Sequence, residues 1–191
     1  MKTQSNGSLP LRVGVLSVFV VLFQIGVVSE VPVFGVNVDL TPLLVAFVGL
    51  LCGSTVGAVG GFAVGLLVDL ALLQTLGLTS FVFTLIGYWS GRLRELRDPQ
   101  AALTPFLLGS AASAVALVGY SLMEFMLGVD APVSFELLRQ IVLGVVVNTL
   151  VALPMWMLVR RVLVGALPDD PRRRRRRRAY TTGGLSPLSK A

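Results

Sequence analysis

The stretch LTPLLVAFVGLLCGSTVGAVGGFAVGLLVDLALLQTLGLTSFVFTLIGYWSG, Leu40 to Gly91, holds 52 residues and a single charge, Asp69. An apolar helix needs about 20 residues to cross roughly 30 Å of hydrocarbon at 1.5 Å per residue. One crossing cannot use so long a run. Two turn-forming points divide it, Cys52-Gly53-Ser54-Thr55 and Gln74-Thr75-Leu76-Gly77. The reading is three short, tightly connected helices near 40–52, 55–73 and 76–92. One crossing with a re-entrant hairpin has the same parity and stands as the alternative.

Outward from this stretch the pattern repeats. Leu11 to Ser29 is apolar, preceded by Lys2 and interrupted by Arg12, and an acidic loop with Glu30 and Asp39 follows. Beyond Gly91 come Arg92, Arg94 and Arg97, mixed with Glu95 and Asp98. Ala101 to Leu127 is apolar apart from Glu124, Asp130 to Arg139 is mixed, and Ile141 to Val159 is uncharged before Arg160 and Arg161. Basic loops stay cytoplasmic. Six crossings with both termini inside put 15 of the 16 basic residues on the cytoplasmic side, Arg139 excepted. The expected fold is an all-α polytopic membrane protein, a compact bundle of six transmembrane helices over 11–161. It lies between a short cytoplasmic N-terminus (1–10) and a cytoplasmic tail (162–191). Val27-Val28-Ser29 offers a weak cleavage site, but the apolar run is longer than most signal h-regions.

Composition agrees. The chain has 191 residues, 54% hydrophobic and 14% charged, against roughly 25% charged in soluble domains. There is no histidine and one cysteine, Cys52. The commonest metal ligand and the usual general base are missing, and no intramolecular disulfide can form. These counts argue against a metalloenzyme, a haem protein or a Ser-His hydrolase. No cofactor is expected.

Glycines fall at 49, 53, 57, 61 and 65, and Asp69 continues the spacing. Gly57, Gly61 and Gly65 make a small-xxx-small stripe on one helix, which lets another backbone approach closely. The partner is either another helix of this chain or another subunit. Steps of four drift about 40° each, so the partner must follow a winding stripe. Asp69, Glu124 and Arg139 fall at similar depth near the outer ends of their spans. They are expected to form an intramembrane polar cluster with Arg139 between the carboxylates, structural or ligand-lining. The alternative leaves Glu124 and Arg139 wet at the interface. Gln24 and Asn148 read as interhelical packing residues. Pro154 is expected to kink its helix, Ser134 to cap it, and Tyr88, Trp89 and Trp156 to lie in the inner aromatic belt.

The net charge of +6 sits on the tail. Arg172, Arg173, Arg174, Arg175, Arg176, Arg177 and Arg178 are consecutive, and Tyr180 to Ala191 is Gly-, Ser- and Thr-rich and reads as disordered. Beside a final span, the arginines read as an anchor to anionic lipids. A solvated stop-transfer tail is the plainer reading. Nucleic-acid binding is disfavoured, because no aromatic is interleaved.

Three motifs carry a family resemblance: Asn37-Val38-Asp39-Leu40, then Gly61-Phe62-Ala63-Val64-Gly65-Leu66-Leu67-Val68-Asp69, then Gly77-Leu78. With the basic exit Gly91-Arg92-Leu93-Arg94, they resemble MreD, the bacterial rod shape-determining membrane protein family. The resemblance implies a non-enzymatic subunit of the cell-elongation machinery in the bacterial cytoplasmic membrane. It would work beside MreC, with RodA, a class B transpeptidase and the MreB cytoskeleton as further partners. Asp39, Gly61, Gly65 and Asp69 match the family's motif positions. The six-helix plan also resembles the S components of energy-coupling vitamin transporters, in which the polar cluster would line the pocket. Short outer loops, with Phe34 and Phe135 as their aromatics, speak against a gated pocket. A membrane enzyme or flippase using Asp69 and Glu124 as acid and base is the third class.

Overall fold

A computed structural model describes residues 8–28, 36–73, 75–96, 103–126, 128, 135–163 and 165. Six α-helices follow one another: α1 (Ser8–Phe23), α2 (Thr41–Cys52), α3 (Ser54–Ala71), α4 (Leu78–Leu96), α5 (Thr104–Met126) and α6 (Phe135–Leu163). A π-helical turn, Gln24–Val28, extends α1. The three expected helices of the central stretch are present. The loop residues Glu30, Phe34 and Ser134, and the tail with its seven arginines, lie outside the described residues.

Among the described residues, four helices are long and apolar enough to cross a membrane: α1 with its π turn, α3, α5 and α6. α4 has 19 residues but ends in Arg92, Arg94 and Glu95. α2 has 12 residues, about 18 Å of helix, well short of the roughly 30 Å core. The chain just before it, residues 36–40, is not helical. Asn148 stands near the middle of the 29-residue α6, and its Oδ1 accepts the Asp39 backbone N–H at 3.0 Å. Residues 36–40 therefore descend to mid-depth before α2 begins. Asp39, expected in an outer loop, is carried inside the body.

Non-helical backbone at membrane depth persists only where protein satisfies it. Gln24 does most of this. Its Nε2 donates to the Val38 carbonyl at 2.7 Å, and its Oε1 accepts the Leu40 N–H at 3.0 Å. The primary amide pairs with the segment as a neighbouring strand would. Asp39 Oδ1 accepts both the Thr41 N–H (3.0 Å) and the Thr41 hydroxyl (2.6 Å), closing the first turn of α2. Gln24 and Asn148, expected to bond helix to helix, instead hold backbone. Gln24 is also where α1 changes to π pitch.

α2 is the axis of the molecule. Eleven of its 12 residues, Thr41 to Leu51, are buried, and it touches each of the other five helices. A helix apolar on every side is buried on every side. Phe47 lies edge-on to Trp156 of α6, with ring centroids 5.3 Å apart. Trp156, expected in an aromatic belt, is thus a core residue, whereas Trp89 is exposed. Pro154 lies inside α6 without ending it. Its missing N–H falls on an exposed face, where Leu150 also lies.

Arginines close two helix ends. Arg94 Nη1 donates to the Leu51 carbonyl at 2.6 Å, at the end of α2. Arg12 Nη1 donates to the Val162 carbonyl at 3.3 Å, at the end of α6. Cations stabilise helix C-termini, where unpaired carbonyls carry partial negative charge.

Replacing Gln24 by Leu strands a part-buried carbonyl and a part-buried N–H; replacing Asn148 by Leu strands one N–H. At about 1–3 kcal/mol per orphaned group, thermal melts of purified protein in detergent should show both variants destabilised, Gln24→Leu the more.

Candidate functional site

The three motif glycines of α3 meet α4 of the same chain. A Cβ on Gly57 would run into the Gly87 carbonyl oxygen and stand 2.7 Å from the Gly49 Cα. One on Gly61 would stand 2.7 Å from the Phe83 carbonyl carbon, and one on Gly65 would stand 2.5 Å from the Ser80 nitrogen. From α4's side, a Cβ on Gly91 would lie 2.5 Å from the Gly53 carbonyl carbon. The helices run antiparallel, with Ser54, Gly57, Gly61 and Gly65 facing Gly91, Gly87, Phe83 and Ser80 in turn. The stripe is thus spent inside the chain. Of the two occupants expected for it, the structure shows the internal one.

Gly49 of α2 joins this contact, since a Cβ there would meet the Gly87 carbonyl oxygen at 2.5 Å. Three helices cross at Gly49, Gly57 and Gly87. Sequence reading singled out the α3 stripe but not its mate. The signal was present as Gly87-x-x-x-Gly91, with Ser80 two turns earlier.

Asp69 ends the same face of α3 and is fully buried. Its Oδ2 accepts the Gly77 N–H at 2.8 Å and faces the Ser80 hydroxyl at 3.4 Å, while Oδ1 accepts the Thr79 N–H at 3.3 Å. These N–H groups belong to the start of α4 and have no partner within that helix. Asp69 caps α4 from across the hairpin, where an anion also suits the helix dipole. Gly77 takes φ +96°, a left-handed conformation that Gly adopts at little cost. The run from Gly61 to Gly77 is one device: glycines that admit α4 and a carboxylate that starts it.

The expected polar cluster is placed only in part. Asp69 is bonded to the hairpin turn, Arg139 is exposed on α6, and the Glu124 side chain lies outside the described residues. On α5, one turn before Glu124, stands Tyr120. Its ring tilts against Phe83 of α4, with centroids 6.2 Å apart.

On the opposite flank of α3 the surface is concave. α1 and α3 enclose a groove of about 430 Å³ whose floor includes Val13, Ser17, Val56 and Val64. Its walls carry Gly14 on α1 and Gly60 with Ala63 on α3. A Cβ at Gly14 or Gly60 would meet nothing within 4 Å. These glycines differ from the motif glycines in having space before them.

Among family models, that of MreD, rod shape-determining protein MreD, matches residues 9–162. Neither the curated proteins nor the solved structures give a match. The expected likeness to transporter S components therefore has no support.

Gly61→Leu and Gly65→Leu should abolish recovery of folded, monodisperse protein, because backbone occupies the space each side chain needs. Asp69→Asn keeps the shape but turns an acceptor into a donor at α4's start. At roughly 1.5–3 kcal/mol for a bond to a charged group, it should lower the thermal midpoint without preventing insertion.

Proposed function

The chain belongs to the MreD family of rod shape-determining membrane proteins, and on that premise we propose that it is a non-catalytic scaffold of the cell-elongation complex that binds MreC through a membrane helix. It lies in the bacterial cytoplasmic membrane with both termini inside, the side to which its basic helix ends point. RodA, a class B transpeptidase and MreB are the wider partners of this assembly.

The observation that carries the reading is the division of labour between the two flanks of α3. Gly57, Gly61 and Gly65 are closed by α4, whereas Gly60 faces the open groove with Gly14 opposite. Close helix packing in lipid depends on small residues, because lipid is as apolar as leucine and gives no hydrophobic drive. A groove with glycine on both walls admits a helix backbone. The docking site is therefore assigned to the α1–α3 groove and not to the motif stripe. Binding there needs no titrating group. A partner helix that fits one arrangement of the complex better than another shifts the equilibrium by that difference in affinity.

Gly14→Leu and Gly60→Leu put side chains into the groove at positions where a Cβ meets nothing within 4 Å. Each variant, tagged and purified from its native membrane, should recover at least about tenfold less MreC than the parent, a loss of roughly 1.4 kcal/mol, at unchanged thermal midpoint. Undiminished recovery with both variants would remove the groove from the assignment, and absence of MreC from the parent's own pull-down would remove the scaffold reading.

A further inference from the structure

We infer that Arg12 of α1 and Arg160 and Arg161 of α6 form a binding site for an anionic phospholipid carrying two phosphates. The site lies away from the α1–α3 groove and does not rest on the identity of any protein partner.

Arg12 and α6 are distant in sequence, yet Arg12 Nη1 donates to the Val162 carbonyl at 3.3 Å. A Cβ on Gly165 would stand 3.2 Å from the same nitrogen, so the chain leaving α6 passes against this guanidinium. Arg160 and Arg161 belong to the same last turn, and all three arginines are exposed. Successive helix residues diverge by about 100°. Arg160 and Arg161 therefore occupy neighbouring sectors of the same last turn whose Val162 carbonyl Arg12 holds. Neither the first two turns of α1 nor the last two of α6 contain an Asp or Glu. Each guanidinium presents five N–H donors in a fork that matches phosphate oxygens.

The position selects a lipid. The arginines stand where spanning helices leave the hydrocarbon, and long basic side chains reach from there to the headgroups. Above Arg12, at the helical spacings of three, seven and eleven, α1 exposes Val15 (62%), Phe19 (59%) and Phe23 (43%). The two phenyl rings stack at 6.2 Å. This apolar ridge runs down to the cation and offers acyl chains a surface continuous with it. Three guanidiniums on two helices exceed what one phosphate can engage. A diphosphate headgroup bridges them, as basic pockets between membrane helices do for cardiolipin.

Native mass spectrometry of the full chain in detergent tests this, titrating cardiolipin, phosphatidylglycerol and inorganic phosphate. One cardiolipin should bind about tenfold tighter than phosphatidylglycerol and resist displacement by inorganic phosphate. Arg160→Gln with Arg161→Gln should weaken it about tenfold or more, the expectation for two interfacial charges. Arg12→Gln also removes the contact at the end of α6, so Arg12→Lys, which keeps the charge, should recover part of the affinity. Replacing Arg172 to Arg178 by Ser in the full chain should leave this lipid bound. Loss of the lipid in that tail variant, retention in Arg160→Gln/Arg161→Gln, equal affinity for the two lipids, or displacement by inorganic phosphate would each overturn the assignment.

Discussion

Backbone that is not helical has no place in hydrocarbon unless protein supplies every hydrogen bond it lacks. Residues 36–40 impose that requirement on the rest of the molecule. Gln24 from α1 and Asn148 from α6 converge on three successive residues, Val38, Asp39 and Leu40. This fixes the relative heights of α1 and α6. It also sets where α2 begins and leaves only 12 helical residues to reach the far side. Asp39 then starts α2 through Thr41. A half-length helix, a mid-depth carboxylate and two intramembrane amides are one arrangement seen from different residues.

The glycine–aspartate run of α3 is explained by the second arrangement, the α3–α4 hairpin. Its glycines are buried because α4's backbone lies on them, and its aspartate is buried because α4's first N–H groups need an acceptor. Gly57, Gly61, Gly65 and Asp69 thus concern how the body holds together. Open space remains on the other flank of α3, where the α1–α3 groove lies beside Gly14 and Gly60.

The helices were legible in the sequence because apolar length and turn-forming residues are local properties. Gly53 and Gly77 marked the turns, and both take positive φ. The stripe was legible as a close-contact surface, but its mate was not. Gly87 and Gly91 gain meaning only once α4 folds back in antiparallel register. Gln24 and Asn148 were visible as polar residues in spans. That they serve backbone could not be read, since nothing local says that the chain before Thr41 descends. Trp156 misled for a related reason: a tryptophan near a helix end resembles an interface anchor until Phe47 is seen against it. The loop aspartate was misplaced because depth in the bilayer was counted along helices, and the chain at Asp39 is not one.

The enclosure of α2 bears on how the molecule is made. A helix touching all five others is synthesised second, and α6, whose Trp156 closes over Phe47, emerges about 100 residues later. In the interval α2 has no protein wall on that side. Its run from Pro42 to Cys52 contains no charged and no hydrogen-bonding side chain beyond a thiol, so lipid can stand in for α6 until it arrives. The Asp39 N–H cannot wait in the same way, because its acceptor comes from Asn148. Docking of the last helix is therefore the step that commits the unwound segment to its depth. Assembly of this protein is completed from its end backwards to its centre.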